Sequence, residues 1–438
     1  MDERVEDAAA GGFRLPITTP AAKLERYRIA FVNTHPIQYF TPLYAYLTRH
    51  CGLETTALYL SDFSLRGGDD RGFGRAVTWD VDLLDGYEAK FMGGEKASKR
   101  RIGGFFSMVA PELWSEIRRA KYDAVIIHGH NLAAHHVAQA AALTSGSLVF
   151  TRGDTPLKRV RKRWKRLLRL PLLKLHYSGF DGFLAIGTAN AAYYRAMGIP
   201  EDRIFAVPYA VDNERFMAAA KMMRESHVTI RSKLGMASDL PAILCVSKFD
   251  PQKRLGDLLT AYAKLRAEGV AAQLVLVGTG VLGSELKRRV ADEAIPNVAF
   301  AGFVNQSELP AVFGAADVFV LPSSNEAWGL VVNEAMCAAL PIVVSEEVGC
   351  AEDLVEYGVN GATFSAGDVD GLASALRPIL TDGDLRAEQG KASLDRIKAW
   401  SYAECGVGIR AAIEASRARR RGHKPAKTSR FLQPISRS

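Results

Sequence analysis

The chain has 438 residues, a mean hydropathy of −0.02 and a formal net charge of +8. This length suits two domains of roughly 150–200 residues each. Its five cysteines are far apart and form no CxxC pair, which favours neither a disulfide framework nor a zinc site. The N-terminus is acidic where a signal peptide would be basic, and no apolar run reaches the roughly 18–20 residues of a membrane span. We therefore expect a cytoplasmic protein that does not cross a membrane.

Short apolar runs, many of them β-branched, recur along the chain with helix-like stretches between them. Strands that are buried on both faces and joined by helices form parallel sheets, and two such series predict two doubly wound domains. The rhythm breaks near residues 207–241, where a polar helix is predicted. The predicted strands are residues 27–33, 53–60, 122–129, 147–153 and 180–187 in the first half, and 242–249, 272–278, 298–303, 317–322 and 341–346 in the second.

Residues that follow a strand in such sheets lie where ligands bind. After AILCVS (242–247) come Lys248 and Lys253, which are either a pair of phosphate-binding cations or two solvated lysines. After the run ending at Pro322, the segment SSNEAWGLVVNEAMCAALP (323–341) leads into an apolar helix. The start of that helix has unpaired amide donors and a positive dipole end, which suit a diphosphate.

The same segment carries two glutamates eight residues apart, Glu326 before the helix and Glu334 about one turn inside it. They are either solvent-exposed surface residues or part of a sugar-nucleotide site. A carboxylate beside an anion site is unfavourable unless it faces a neutral group. Sugar hydroxyls are neutral hydrogen-bond donors, which a carboxylate binds well. The pattern therefore favours one glutamate for each of two sugars.

Residues 28–418, and 244–371 most densely, resemble the retaining glycosyltransferases of GT-B type in family 4, also called group 1. The resemblance implies two facing Rossmann-like α/β domains and a reaction without a metal or other cofactor. Glu326 would contact the transferred sugar as a catalytic residue, and Glu334 would accept the ribose hydroxyls. The leaving diphosphate would be neutralised by Lys248, where the family more often has arginine, by Lys253 and by the amides of Gly329, Leu330 and Val331. The base would lie near residues 302–304, which include Val304.

The first half matches the family less well, because NTHPIQYFTPLYAYL (33–47) replaces the usual glycine-rich loop. His35 in this loop either faces the donor phosphates or caps the following helix. The resemblance places a catalytic histidine at His128 or His130, and the register favours His128. Arg152 and Asp154 follow the next predicted strand and could touch donor or acceptor.

These inferences give a domain plan and a function. We expect a flexible extension over 1–26, an acceptor domain over 27–213, a nucleotide-sugar domain over 214–398, a helix crossing back over 399–418 and a basic flexible tail over 419–438. The predicted enzyme moves a hexose from a UDP- or GDP-sugar to a glycan or lipid-linked acceptor in surface polysaccharide or glycolipid synthesis. The alternatives are a nucleotide-sugar epimerase of the same plan and a non-catalytic nucleotide-sugar binding protein.

Two further motifs suggest other chemistry. VGTGVLG (277–283) fits the dinucleotide-binding pattern, but the acidic residue expected about twenty positions later is missing. The triplets at 80–82 and 368–370 have the D-x-D form of a metal site without its strand context. We therefore predict neither NAD binding nor a metal.

A basic band over residues 158–174 contains nine basic and no acidic side chains. Its interleaved apolar residues give it an amphipathic character, which suits an anionic membrane surface at the inner face of the membrane. A solvated helix face is the other interpretation. Aromatic residues are scarce and no nucleic-acid module is present, so nucleic acid is not a predicted partner.

Overall fold

The computed structural model describes residues 25–67, 69–70, 75–76, 78–93, 103–154, 173–225 and 227–422. Most of the predicted N-terminal extension (1–26), basic band (158–174) and C-terminal tail (419–438) lies outside these residues.

Two parallel sheets organise the chain, one of seven strands and one of six. The first has the strand order β5-β2-β1-β6-β7-β8-β9, the second has the order β12-β11-β10-β13-β14-β15, and β3 and β4 form a short antiparallel pair. The strands are β1 (Tyr27–Asn33), β2 (Leu53–Tyr59), β3 (Asp69–Asp70), β4 (Arg75–Ala76), β5 (Glu88–Phe91), β6 (Ala124–His128), β7 (Leu148–Arg152), β8 (Gly182–Ala185), β9 (Ile204–Ala206), β10 (Ala242–Val246), β11 (Gln273–Val277), β12 (Val298–Gly302), β13 (Val318–Leu321), β14 (Ile342–Ser345) and β15 (Gly361–Phe364).

Helices alternate with these strands and cover the sheets. They are α1 (Thr41–His50), α2 (Glu112–Ala120), α3 (Ala133–Ser145), α4 (Thr188–Ala196), α5 (Asn213–Glu225), α6 (His227–Lys233), α7 (Leu255–Ala267), α8 (Gly283–Asp292), α9 (Leu309–Gly314), α10 (Leu330–Cys337), α11 (Ala351–Leu354), α12 (Val369–Thr381), α13 (Gly383–Ile397) and α14 (Tyr402–Arg420).

Each sheet has its own hydrophobic core, because its central strands are buried on both faces. The first core joins side chains such as Val125, Ile127 and Phe183 to helices α2 and α3. The second joins Leu274, Leu276 and Val320 to helices α7 and α12. The predicted α/β class with two parallel-sheet domains is confirmed.

The strand order reverses once in each sheet, and each reversal opens a crevice at the carboxyl ends of the strands. In the first sheet β1 pairs with β2 on one side and with β6 on the other. In the second sheet β10 lies between β11 and β13 in the same way. The loops after β1, β6, β10 and β13 are therefore the places where a ligand is expected.

The described residues form two compact units: those up to 66, in 82–209 and from 400 onward make up one, and those in 67–81 and 210–399 make up the other. The described residues of 67–81 thus belong to the second unit, whereas the predicted boundaries include them in the first domain (27–213). Its attachment is polar: Asn305 Nδ2 donates to the Thr78 carbonyl at 2.9 Å, and Ser307 N donates to Asp80 Oδ1 at 3.1 Å.

Helix α14 packs against the first sheet although it follows the second in sequence. It begins with a capping box, in which Ser401 accepts from Ala403 N and Glu404 reaches back to Ser401 N. A Cβ atom at Gly408 would lie 2.0 Å from the Ala206 carbonyl oxygen, so only glycine allows the helix this close to β9. The Arg420 guanidinium donates to the Gly146 and Ser147 carbonyls at 2.8 and 2.9 Å.

Candidate functional site

A lysine and a glutamate meet at the crevice of the second sheet. Lys253 Nζ contacts Glu326 Oε2, and the two residues come from the loops after β10 and β13. Their side chains are 17% and 21% exposed, so the pair is shielded but open to a ligand. The sequence analysis selected both residues, and the structure brings them together.

A short helical turn fixes Lys253. Asp250 caps this turn, since its Oδ1 accepts from Gln252 N at 2.9 Å. The Gln252 carbonyl accepts from Ser324 N at 2.8 Å, and the Gln252 side chain accepts from Asn325 Nδ2 at 2.8 Å. Gln252 therefore ties the two crevice loops to each other, a role that the sequence alone did not reveal.

The backbone of Glu326 is held by the loop after β14. Glu326 N donates to the Glu347 carbonyl at 3.3 Å, and Gly349 N donates to the Glu326 carbonyl at 3.1 Å. A Cβ atom at Gly349 would lie 2.0 Å from the Ala327 carbonyl oxygen, so a larger residue there would push the two loops apart.

Helix α10 begins where the sequence predicted a diphosphate-binding helix start. Gly329 is its N-cap with φ of 93°, a left-handed conformation that favours glycine. Leu330 and Val331 in the first turn are half-buried. Glu334 is fully buried inside the helix. The ribose contact of Glu334 and the phosphate contacts of the first turn stay predictions.

The loop that carries Lys248 packs closely against the glycine-rich segment after β11. A Cβ atom at Gly278 would lie 1.9 Å from the Ser247 carbonyl oxygen, and one at Gly280 would lie 2.6 Å from the Phe249 carbonyl oxygen. Phe249 N donates to the Thr279 carbonyl at 2.8 Å. The glycines of the G-x-G-x-x-G pattern therefore have a packing role beside the Lys248 loop.

Val304, predicted to lie near the base, is half-buried in the loop after β12. The segment 78–80 lies against this loop through the hydrogen bonds of Asp80 and Thr78 described above. The Trp79 and Phe303 rings are 6.2 Å apart. This neighbour of the predicted base site was missed, because nothing in the sequence links residues more than two hundred positions apart.

His128 ends strand β6 at the crevice of the first sheet. Its ring lies 4.9 Å from the Phe40 ring and 5.7 Å from the Phe31 ring. Its Nε2 atom is buried and has no hydrogen-bond partner among the described residues. Burial lowers the pKa of His128 well below its usual range, and the nearby charges of Arg152 and His135 lower it further. The imidazole is therefore neutral at physiological pH, and its catalytic role stays a prediction.

The other histidines of this segment have different surroundings. His135 is buried in α3, and burial together with His130, His136 and His176 lowers its pKa to about 4. His136 Nε2 lies 3.1 Å from the His130 carbonyl oxygen. This contact links His136 to its neighbours in the fold, whereas His128 lies at a strand end.

His35 is half-buried after β1, with Nδ1 2.8 Å from Thr34 Oγ1 and its ring 4.2 Å from that of Phe63. The N-cap of α1 is Phe40, which makes no side-chain capping hydrogen bond. Both alternatives for His35, a contact with the donor phosphates and a cap on the following helix, stay predictions.

The two D-x-D triplets contain aspartates with partners in the fold. Asp80 accepts from Ser307, Asp368 Oδ1 caps α12 by accepting from Gly371 N at 2.8 Å, and Asp370 pairs with Lys264 at 2.6 Å.

Among the described residues, no helix has the length and apolar character required to span a bilayer.

Two family profiles match the chain. Residues 227–396 match the glycosyl transferases group 1. Residues 65–210 match the glycosyl transferase 4-like domain. The two matches together span most of both units.

Curated relatives and solved structures give a consistent result. The chain is 31% identical over 204 residues to a GDP-mannose-dependent monoacylated alpha-(1-6)-phosphatidylinositol monomannoside mannosyltransferase of Corynebacterium glutamicum. The aligned segment covers 45% of this chain and 52% of the relative. It is also 31% identical over 206 residues to the amylovoran biosynthesis glycosyltransferase AmsK of Erwinia amylovora, covering 45% of each chain. The chain thus spans about half the length of these relatives.

Among solved structures, Anabaena HepE in complex with UDP superposes with a TM-score of 0.68 at 16% identity, covering 89% of this chain and all of HepE. WaaG, a glycosyltransferase involved in lipopolysaccharide biosynthesis, superposes with a TM-score of 0.59 at 15% identity, covering 87% of this chain and 99% of WaaG. At these identities the likeness concerns the fold. The two profile matches, over residues 65–210 and 227–396, show that the chain belongs to the group 1 glycosyltransferases, as its motifs predicted.

Proposed function

We propose that the protein transfers a sugar from a nucleotide-sugar to a glycan or lipid-linked acceptor in polysaccharide or glycolipid biosynthesis. The observation that carries the proposal is the contact between Lys253 and Glu326 at the crevice of the second sheet. Family membership supports it, because the relatives named above are a lipid mannosyltransferase and a polysaccharide glycosyltransferase. It does not favour the epimerase or the non-catalytic binding protein.

The pair suits the chemistry of donor cleavage. As the bond between the sugar and the diphosphate breaks, negative charge grows on the diphosphate and positive charge on the anomeric carbon. These two centres are one bond apart, so the cation and the carboxylate that stabilise them must also be neighbours. Lys253 would bind the leaving diphosphate, and Glu326 would lie beside the sugar.

The other predicted residues extend this arrangement along the crevice. The amides of Gly329, Leu330 and Val331 and the ammonium of Lys248 would share the diphosphate charge. Glu334 would accept the ribose hydroxyls, and the loop containing Val304 would hold the base. His35 and His128, at the first sheet, would meet the donor phosphates and the reacting sugar respectively.

A binding experiment tests the donor site. Isothermal titration with UDP, GDP, ADP and TDP should find one nucleotide that binds the wild type, and Lys253→Gln should weaken that binding about ten- to a hundredfold. Lys264→Gln is the matched control, because Lys264 pairs with Asp370 on the surface of the same unit at 45% and 78% exposure. If none of the nucleotides binds, or if the two variants behave alike, the assignment of this crevice is refuted.

We also propose that the transfer retains the anomeric configuration and needs no metal, as the family resemblance implies. NMR of the first-formed product distinguishes retention from inversion. Activity measured after dialysis against EDTA, with and without added Mg²⁺ or Mn²⁺, tests the second point. A loss of activity that either ion restores would refute metal independence.

We further propose that the first unit contacts the inner face of the membrane. Phe106 and Leu175 are 79% and 72% exposed, although both are large and apolar. The Phe105 ring centre lies 4.9 Å from that of Phe106 and 5.3 Å from that of His136, and the His136 ring centre lies 4.5 Å from that of His176, the residue that follows Leu175. The basic band adjoins this patch in sequence, so apolar and basic side chains would act together.

Vesicle flotation tests this contact. At low salt, anionic vesicles should retain the wild type and neutral vesicles should not. Phe106→Ser should weaken retention, whereas Tyr357→Ser, which removes a ring that is 77% exposed in the second unit, should not. Equal retention of the two variants would refute the role of this patch.

A further inference from the structure

Arg152 is a fully buried cation whose charge is only partly compensated. It is 1% exposed and lies at the carboxyl end of β7, beside His128 in the neighbouring strand. Its Nη2 donates to the Pro208 carbonyl at 2.8 Å and, at 3.4 Å, to the Val207 carbonyl. Its Nε and Nη1 atoms are buried and have no hydrogen-bond partner in the described part of the chain.

The surroundings of Arg152 are aromatic. The guanidinium carbon lies 4.9 Å from the centre of the Tyr209 ring and 5.8 Å from that of Phe40. No ion pair among the described residues includes Arg152, although fifteen other described arginines form one. A buried charge without a counter-ion is costly, and cation–π contacts offset only part of that cost.

We propose that Arg152 binds an oxyanion, a carboxylate or a phosphate, that belongs to one of the two substrates of the transferase. The inference rests on the proposed function, because it assigns the anion to the donor sugar or to the acceptor. An anion would use the remaining N–H groups of Arg152 and would supply the missing counter-charge.

His128 is consistent with such a site. Burial and the charge of Arg152 depress the pKa of His128, so the imidazole stays neutral and adds no second cation. Its unpartnered Nε2 gives the site a further polar atom. One formal positive charge and several N–H donors suit a single anionic group.

The side chains that cover Arg152 differ in their own exposure. Phe40 and His128 are half-buried and so reach solvent in part, whereas Tyr209 is only 8% exposed. Phe40 belongs to the loop after β1, next to the crevice between β1 and β6. Rotation of the Phe40 side chain would open Arg152 to that crevice, where ligands of such sheets bind.

Titration calorimetry with D-glucuronate and with inorganic phosphate tests the site. Both are added after saturation with the nucleotide that the second unit binds, so that Lys248 and Lys253 are occupied. The wild type should bind both anions, and Arg152→Gln should bind them at least about tenfold more weakly. Arg420→Gln is the matched control, because Arg420 lies in the same unit and donates to carbonyl oxygens and to Asp181.

A second variant guards against a folding defect. Arg152→Lys keeps the charge but has fewer donors, so it should bind the anion more weakly than the wild type without losing the binding. It serves as the test if Arg152→Gln fails to fold. Binding that is absent from the wild type, or unchanged in Arg152→Lys and Arg152→Gln, would overturn the proposal. Nucleotide binding in the same samples reports on the proposed function separately.

The source of the anion follows from a comparison of donors. If it is the donor sugar, the wild type should bind a nucleotide-hexuronate more tightly than the matching nucleotide-hexose, and Arg152→Gln should remove the difference. If it is the acceptor, the two donors should bind alike, and free glucuronate or phosphate should still bind to the donor-saturated protein.

Discussion

Substitutions of the two partners of the Lys253–Glu326 pair should have opposite effects on the affinity for a nucleoside diphosphate. Lys253→Gln removes a cation that would contact the diphosphate, and we expect the nucleoside diphosphate to bind about ten- to a hundredfold more weakly. Glu326→Gln removes an anion that repels the diphosphate and competes for Lys253. The same ligand should therefore bind Glu326→Gln more tightly than the wild type.

The size of the second effect follows from the geometry. The side chains are 17% and 21% exposed. At an effective dielectric constant of about 20, two charges about 4 Å apart interact by about 4 kcal/mol, of which desolvation and solvent screening leave about 1 kcal/mol. Release of Lys253 should then tighten diphosphate binding about fivefold. The free energy of unfolding should fall by a similar amount, about 1 kcal/mol.

Catalysis should respond differently from binding. Glu326→Gln should lower kcat by about a hundred- to a thousandfold, because an amide cannot offset the positive charge that grows on the sugar. Calorimetry with the nucleoside diphosphate and initial rates with the nucleotide-sugar measure the two quantities, and the Lys264→Gln and Asp370→Asn variants serve as controls. If both variants of the pair weaken diphosphate binding, or if kcat of Glu326→Gln is unchanged, the pair is structural and the assignment fails.

Three further predictions concern stability. Gly278→Ala should lower the free energy of unfolding by about 3 kcal/mol or more, because its Cβ would lie 1.9 Å from the Ser247 carbonyl oxygen. In the control Gly256→Ala, the Cβ would lie 3.6 Å from its nearest neighbour, so the free energy of unfolding should change little. Urea unfolding measures both values. In the folded protein the pKa of His135 is about 4, below its value in the unfolded chain. The free energy of unfolding should therefore fall by about 2 kcal/mol from this residue as the pH is lowered from 7 to 5. His135→Gln should flatten that pH dependence, and an unchanged slope would show that His135 does not cause it. Asp80→Ala should cost about 1 kcal/mol, because it removes the acceptor of both the Ser307 N–H and the Ser307 hydroxyl. Ser307→Ala removes only the hydroxyl contact, so the double variant should cost little more than Asp80→Ala alone, and additive losses would show that the hydroxyl contact does not couple the two side chains.

The central strands were predictable because they are buried on both faces. Runs such as residues 27–33 and 242–249 are mostly apolar, and the observed strands Tyr27–Asn33 and Ala242–Val246 fall within them. The predicted helix start after Pro322 also coincides with α10. Here local sequence and tertiary environment favour the same structure, so the pattern is unambiguous.

The strands that were missed in the two parallel sheets lie at sheet edges. β5, β9 and β15 have only three or four residues each, and β5 and β9 are partly exposed. Strands this short are not long enough to show the apolar run that reveals a central strand. The pair β3 and β4 was missed as well, and each of these strands has only two residues. The attachment of segment 78–80 to residues 305–307 escaped prediction for another reason, because it depends on contacts between polar side chains distant in sequence.

The glycine-rich segment after β11 illustrates what a motif alone leaves open. In a dinucleotide-binding turn, glycines allow the backbone to approach a pyrophosphate. Here Gly278 and Gly280 allow the backbone to approach the Ser247 and Phe249 carbonyls, on either side of Lys248. Close approach is the shared physical requirement, and the partner differs. A spacing of glycines therefore predicts a tight backbone contact, and the neighbouring side chains decide what the contact serves: here it lies next to Lys248, the lysine that we propose helps to neutralise the leaving diphosphate.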